Sequence, residues 1–79
     1  MLQEIRKKRG LSQSQLSKKS GIPLYTIQKY ERGSRDINKA KLETLLKLCI
    51  ALDCCITDIL SDRSLRKLYN RYLERSVKD

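Results

Sequence analysis

One face of the segment from residue 24 to residue 32 has the chemistry to contact a polyanion. At 3.6 residues per turn, a helix over this segment carries apolar, aromatic, amide and cationic groups on one side. These side chains are Leu24, Tyr25, Gln28, Lys29 and Arg32. The whole chain has 18 Lys and Arg against 9 Asp and Glu, a net charge of +9. Such a charge raises the affinity for polyanions, although charge alone does not separate DNA from RNA or anionic lipid.

Few residues are suited to catalysis or to metal binding. The chain has no histidine, no glycine-rich phosphate loop and no evident carboxylate pair. Cys49, Cys54 and Cys55 are odd in number and lack a base partner, so we interpret them as reduced, largely structural thiols. The adjacent Cys54 and Cys55 leave a redox-sensor role open. We expect no enzyme activity, no metal, no cofactor and no small-molecule ligand.

The candidate face belongs to a segment that fits a helix, a tight turn and a second helix. Two helices that cross at roughly 90 to 120° need small side chains where they touch and a residue that tolerates positive φ at the turn. Ser17 and Gly21 meet these needs, and the Ser17 hydroxyl is expected to bond back to its own helix. The apolar side chains that then converge on one core are Leu16, Ile22, Ile27 and Tyr30.

Capping residues and apolar periodicity divide the chain into helices. Ser12 and Gln15 fit a capping box, Pro23 lies at or just before the first turn of the third helix, and Asn38 is a cap for the fourth. Asp53 tolerates the left-handed turn that follows the fourth helix. The predicted helices cover about 2–9, 13–20, 23–32, 39–52, 57–61 and 62–75, and the apolar stripe of the fourth is Leu42, Leu45, Leu48, Cys49 and Leu52.

The length and hydropathy predict one small domain. A chain of 79 residues buries only about 60 to 65% of the surface that it exposes when unfolded, so oligomerisation is a common source of further stability. No run approaches 18 apolar residues, and the N-terminus begins with an amphipathic helix rather than a signal sequence. We therefore expect a soluble, cytoplasmic protein that does not interact with membranes.

Two stretches, RKKRGLSQSQLSKKSGIPLYTIQKYERG and KLETLLKLCIALDCCITDIL, follow the signature segments of a known family almost position by position. On these residues, positions 2–60 resemble the lambda-repressor-like helix-turn-helix of the Cro/C1 (XRE) family of bacterial and phage regulators. The resemblance implies an all-α fold, with a five-helix DNA-binding domain and an additional C-terminal helix. The predicted boundaries are 1–61 for the domain, about 12–32 for its helix-turn-helix unit and 62–79 for the C-terminal helix.

The resemblance assigns the third helix to the major groove of double-stranded DNA. The candidates for contact with base edges are Leu24, Tyr25, Thr26, Gln28 and Lys29. Lys29 suits guanine, Gln28 suits adenine, and Leu24 or the ring of Tyr25 suits a thymine methyl, while a solvated side chain or a phosphate contact is the alternative for each. The candidates for phosphate contact are Ser12, Gln13, Arg32, Ser34, Arg35 and Lys39.

Arg6 and Glu31 stand at positions that the family pairs as an ion pair between the first helix and the recognition helix. The resemblance therefore implies a structural role for both residues. Two unrelated surface charges are the alternative. If the pair is partly buried, removal of one partner should cost more than removal of both.

The last nineteen residues lie outside the resemblance, and their helix has one apolar face. This face either packs on its own domain or forms a dimer contact. A symmetric pair of modules about 34 to 36 Å apart on a palindromic site multiplies specificity. We therefore expect a repressor that binds its operator as a homodimer; the alternative is a protein-interaction module, antitoxin-like or repressor-binding, with the same fold. The face consists of Leu65, Leu68, Tyr69, Tyr72 and Leu73.

Overall fold

The structure, a computed structural model, describes residues 1–75, so positions 76–79 of the predicted C-terminal segment lie outside the described residues. Within this range the chain is helical without strands, and the predicted all-α fold with an additional C-terminal helix is confirmed. No described helix has the length and apolar character needed to cross a membrane. The elements are α1 (Leu2–Lys8), α2 (Gln13–Ser20), α3 (Leu24–Arg32), a 3₁₀ helix (Ile37–Lys39), α4 (Leu42–Leu52), α5 (Ile56–Ile59) and α6 (Arg63–Glu74).

Local capping sets the boundaries of α2 and α3. The Ser12 Oγ accepts a hydrogen bond from the Gln15 N–H at 3.0 Å, and the Gln15 Oε1 accepts one from the Ser12 N–H at 2.7 Å. The predicted capping box is therefore confirmed. Gly21 ends α2 with φ of 77°, a left-handed conformation that glycine adopts without strain. Pro23 is the N-cap of α3, where the missing N–H costs little.

The core forms where α1 to α5 meet around α4. Its fully buried large side chains come from α2, α3, α4 and α5, and each stabilises the fold by about 1.5 to 3 kcal/mol relative to full exposure. The predicted convergence of Ile22 and Tyr30 on this core is also confirmed, with Tyr30 partly buried. The fully buried side chains are Leu16, Ile27, Leu48, Leu52 and Ile59.

The Ser17 hydroxyl bonds in a different direction from the one predicted. Its Oγ donates to the carbonyl oxygen of Ile22 at 2.6 Å, across the turn, and not to a carbonyl of α2. The Ile22 N–H in turn donates to the Ser20 Oγ at 3.1 Å. Because Ile22 is buried and lies outside both helices, its two backbone polar groups need these side-chain partners. Ser17 therefore braces the turn between α2 and α3.

The prediction that Asn38 caps a fourth helix from residue 39 is wrong. A 3₁₀ turn capped by Asp36 occupies this position, and α4 begins only at residue 42. The Asn38 side chain instead crosses to the connection between α5 and α6. Its Oδ1 accepts hydrogen bonds from the N–H groups of Ser61 and Asp62, both at 2.9 Å. The amide group that a helix cap would use is therefore committed to a long-range clamp.

Two further boundaries differ from the prediction, and one agrees with it. Leu42, placed on the buried stripe of the fourth helix, is 63% exposed because it lines an open groove between α4 and the start of α6. The fifth helix covers Ile56–Ile59 and not 57–61, although Leu60 is buried as expected. Asp53 takes the predicted left-handed conformation, with φ of 51°.

Only the first turns of α6 pack on the domain. The Asp62 Oδ1 caps this helix by accepting hydrogen bonds from the N–H groups of Ser64 at 2.9 Å and Leu65 at 3.2 Å. Leu65 packs against the core, and Tyr69 is partly buried, but no residue of α6 is fully buried. The apolar face of α6 is therefore only partly covered by its own domain.

Candidate nucleic-acid interface

The predicted contact face of α3 is accessible from solvent. Ile27 is fully buried on the opposite side and fixes the helix to the core. The remaining side chains of the helix are therefore held by a single rigid element. Among the predicted base-contacting residues, Leu24 and Tyr25 are exposed, whereas Thr26, Gln28 and Lys29 are partly buried.

Tyr25 and Lys29 form one unit on this face. They are one helical turn apart, and the Lys29 Nζ lies 4.7 Å from the centroid of the Tyr25 ring, within range of a cation–π contact. A hydrogen bond from Lys29, the charge of Lys29 and the charges of Arg35 and Arg32 lower the pKa of the Tyr25 phenol. A base edge that approaches this point therefore meets an aromatic ring and an ammonium group together.

An ion pair joins α1 to the last turn of α3. The Arg6 Nε donates to the Glu31 Oε2 at 2.7 Å, and the Arg6 Nη2 donates to the Glu31 Oε1 at 3.0 Å. The two side chains are only 9% and 3% exposed. The Arg6 Nη1 donates to the Leu11 carbonyl oxygen at 2.8 Å, so all three guanidinium nitrogens are hydrogen-bonded. This forked geometry holds α1, the loop before α2 and α3 together.

Gln13 belongs to the same network. Its Nε2 donates to the Glu31 Oε1 at 2.9 Å, so the side chain predicted to contact phosphate is also tied to the last turn of α3. An amide NH₂ has two donors, and one remains for another acceptor. The exposed Ser12 and the first backbone N–H groups of α2 lie beside it along the chain. The network therefore holds the N-terminus of α2 against α3.

Burial and hydrogen bonding act in opposite directions on the Glu31 carboxyl. Burial is the largest single influence and raises its pKa, but hydrogen bonds from Arg6 and Gln13, with the nearby positive charges of Arg6 and Lys7, outweigh it. The pKa of Glu31 is therefore lowered. The hydrogen bond to Glu31 raises the pKa of Arg6. Both partners stay charged at neutral pH although water has little access to them.

The predicted phosphate-contacting residues flank α3 near both of its ends. Arg35 and Lys39 line a shallow groove beside Thr26, in the first turn of α3, whereas Gln13 contacts Glu31 in the last turn. The Ser34 Oγ lies 3.4 Å from the Lys29 carbonyl oxygen at the C-terminal end of the helix. The exposed members of the set are Ser12, Arg32, Ser34, Arg35 and Lys39.

Sequence reasoning missed the side-chain contacts that hold this site from a distance. Gln13 and Glu31 are 18 positions apart, and Asn38 and Ser61 are 23 apart, so no local spacing signals either contact. The hydroxyl of Ser17 at a crossing that needs only a small residue was the available signal for the third contact. Its partner was placed on the wrong element, because the carbonyl that needed a donor lay in the turn.

The three cysteines lie at the end of α4 and just before α5. Cys49 is buried, Cys54 is partly buried and Cys55 is exposed. Burial raises the pKa of Cys49 to about 12 and also raises that of Cys54, so both thiols are protonated at neutral pH. Protonated thiols are poor nucleophiles and poor metal ligands. In residues 1–75, no group of His, Cys, Asp and Glu side chains is arranged to hold a metal ion.

Comparison with known proteins identifies the family. The Helix-turn-helix family model, of the Cro/C1 (XRE) type, matches residues 2–59. The chain therefore belongs to this family, as the resemblance predicted. Its members are DNA-binding regulatory domains and not typically enzymes, so the chain is a DNA-binding helix-turn-helix regulator. Neither the curated proteins nor the solved structures include a significant match.

Proposed function

We propose that the protein is a sequence-specific transcriptional regulator, most simply a repressor that occupies a palindromic operator as a homodimer. The accessible face of α3 carries this proposal, with the Tyr25–Lys29 pair on it and phosphate-contacting candidates near both ends. In helix-turn-helix proteins the second helix of the motif lies in the major groove. A dimer bound over a promoter blocks transcription without any further activity. It acts in the cytoplasm, where bacterial or phage DNA lies.

Four side chains of α3 divide the reading of bases among them by their chemistry. Lys29 donates to O6 or N7 of guanine, and Gln28 pairs with N6 and N7 of adenine. Leu24 and the ring of Tyr25 pack on thymine methyl groups. Thr26 lies nearer the groove that contains Arg35, so it contacts a base edge at the margin of the site.

The phosphate contacts set the register of α3 in the groove without reading sequence. Gln13 uses its remaining N–H donor and the N-terminus of α2 for one backbone contact. If each subunit neutralises about four to six phosphates, a plot of log affinity against log salt concentration has a slope of roughly −7 to −11 for the dimer. The other residues in this role are Ser12, Arg32, Ser34, Arg35 and Lys39.

Two observations support the homodimer. A domain of this length buries a limited core, and α6 leaves part of its apolar face uncovered. A single module also reads few base pairs, whereas two modules related by a twofold axis read two half-sites. We assign the dimer contact to the face of α6, formed by Leu65, Leu68, Tyr69, Tyr72 and Leu73.

The same uncovered face favours one alternative function, a protein-interaction module. Leu68, Tyr72 and Leu73 are each more than half exposed, which suits an antitoxin-like or repressor-binding partner as well as a second copy. In that case α3 would be a solvated basic surface. The Tyr25–Lys29 pair and the basic residues around α3 favour the DNA-binding function over this alternative.

Selection of binding sites tests the proposal directly. Purified protein is incubated with random duplex DNA at about 150 mM salt, an ionic strength at which non-specific binding is weak. The enriched duplex is then compared with a scrambled duplex of the same composition by electrophoretic shift. A site with twofold symmetry is expected. Absence of enrichment by a folded protein would reject the operator-binding function and favour the protein-interaction module.

A further inference from the structure

A groove of about 680 Å³ lies between the C-terminal half of α4 and α6. Its lining includes Leu46 and Ile50 from α4, and Tyr69 and Leu73 from α6. Ile50 is 79% exposed, and Leu46 and Leu73 are each about half exposed. Large apolar side chains that lie together at the surface mark an interaction site more often than isolated ones do. These residues, with Asp53, are called the groove below.

The other edge of α6 forms a ridge. Leu68 and Tyr72 are one helical turn apart and are 58% and 54% exposed. Arg71 and Arg75 lie on the same edge, and the Arg75 guanidinium stacks 4.3 Å from the centroid of the Tyr72 ring. The ridge, defined as Leu68, Arg71, Tyr72 and Arg75, therefore combines an apolar crest with two positive charges.

The groove and the ridge have opposite charge. Within the described part of the chain, Asp53 is the one charged side chain that lines the groove, and it is exposed. The charged residues of the ridge, Arg71 and Arg75, are both basic. An acidic partner would match the ridge but not the groove, and a basic partner would match only the groove. A second copy of this chain satisfies both surfaces at once.

We propose that these surfaces bind a second copy of the chain, with the ridge of each copy in the groove of the other. The proposal rests on the proposed homodimer and adds α4 and Asp53 to its α6 interface. A twofold axis repeats every contact, so one ridge and one groove in each copy close the dimer. A standard interface buries about 800 Å² per partner, of which about 57% is apolar. The exposed leucine, isoleucine and tyrosine side chains described above supply apolar area of that order.

Sedimentation velocity of the full chain over a range of concentrations tests this interface without DNA. Ile50→Glu places a carboxylate in the groove beside Asp53, where it repels the acid and cannot pack against the ridge. We expect the dissociation constant of the dimer to rise at least about tenfold. Gln3→Glu is the matched control, because it adds the same charge at an exposed position of α1 and should leave the constant unchanged. Circular dichroism checks that both variants keep the wild-type helix content.

A double-mutant cycle tests the charge contact. Asp53→Asn removes the acid and keeps a residue that tolerates the left-handed turn. Arg71→Gln with Arg75→Gln removes the two bases. We expect each change to weaken the dimer, and the combined variant to be no weaker than the weaker of the two, because the groups interact with each other.

Several results would overturn the proposal. A folded wild-type chain that stays monomeric excludes the interface, and a dimer that Ile50→Glu leaves intact excludes the groove. Additive losses in the cycle exclude the contact between Asp53 and the arginines. Because none of these measurements contains DNA, failure of the site selection rejects the proposed function alone. An operator-binding dimer that ignores Ile50→Glu rejects only this interface.

Discussion

The helix-turn-helix and the C-terminal helix are held in opposite ways. Ile27 of α3 is fully buried and the Glu31 side chain is almost inaccessible, whereas α6 has no fully buried residue. The contact face of α3 therefore has its position determined by interactions within its own chain. α6 retains an apolar surface that its own chain does not satisfy. The comparison indicates that stability is concentrated beneath the DNA-binding face.

The largest expected effect tests the buried ion pair. Arg6→Met leaves the Glu31 carboxylate desolvated without its cation, and we expect a loss of about 3 to 5 kcal/mol in the free energy of unfolding. Urea unfolding followed by circular dichroism measures it. The control is Arg6→Met combined with Glu31→Leu, which should be more stable than the single variant because no buried charge remains. A double variant less stable than the single one would contradict a desolvated pair.

The same pair should make stability depend on acid pH. The pKa of Glu31 is lower in the folded protein than its unfolded value of about 4.3, so folding favours the ionised form. This contribution is complete above that unfolded value and is lost as the pH falls through the lower folded pKa. We expect urea midpoints of the wild type to fall over this range. Glu31→Gln, which is less stable at neutral pH, should lack this part of the decline; an identical slope would argue against it.

A smaller effect is expected on DNA recognition. Lys29→Ala should cost about 1 to 3 kcal/mol on the selected operator and relax specificity at one base position. Gln13→Ala is the comparison variant, since loss of a phosphate contact weakens operator and random DNA alike. Electrophoretic shift on both duplexes measures the ratio. Equal losses on the two duplexes for Lys29→Ala would exclude its contact with a base.

The smallest effect is expected on α6. At a concentration where the chain is monomeric, Leu68→Ser should change the free energy of unfolding by no more than about 0.5 kcal/mol, because the side chain is mostly exposed. Leu48→Ala in the buried part of α4 serves as the contrast and should cost about 2 to 5 kcal/mol. Similar losses in the two variants would mean that α6 is as firmly packed as the core, and would remove the contrast between the two regions.

The parts of the fold that sequence analysis predicted depend on short spacings. The Ser12–Gln15 capping box, the left-handed Gly21 and the left-handed Asp53 each involve residues within one or two turns of each other. The start of α4 was wrong because Asn38, a good cap by type, is bound by residues more than twenty positions away. The exposure of Leu42 was missed for a similar reason, since a periodic stripe does not reveal which elements cover it.

The sequence by itself determined the helices, the turn geometry, the positive charge and the family, because these depend on local conformational preference and on residue types at set offsets. The tertiary structure alone decided which polar groups meet. It joined Gln13 to the Arg6–Glu31 pair, directed the Ser17 hydroxyl into the turn, and left Ile50 exposed beside α6. Such contacts arise when distant segments pack against each other, and their free energy depends on burial and partner geometry that no local pattern contains.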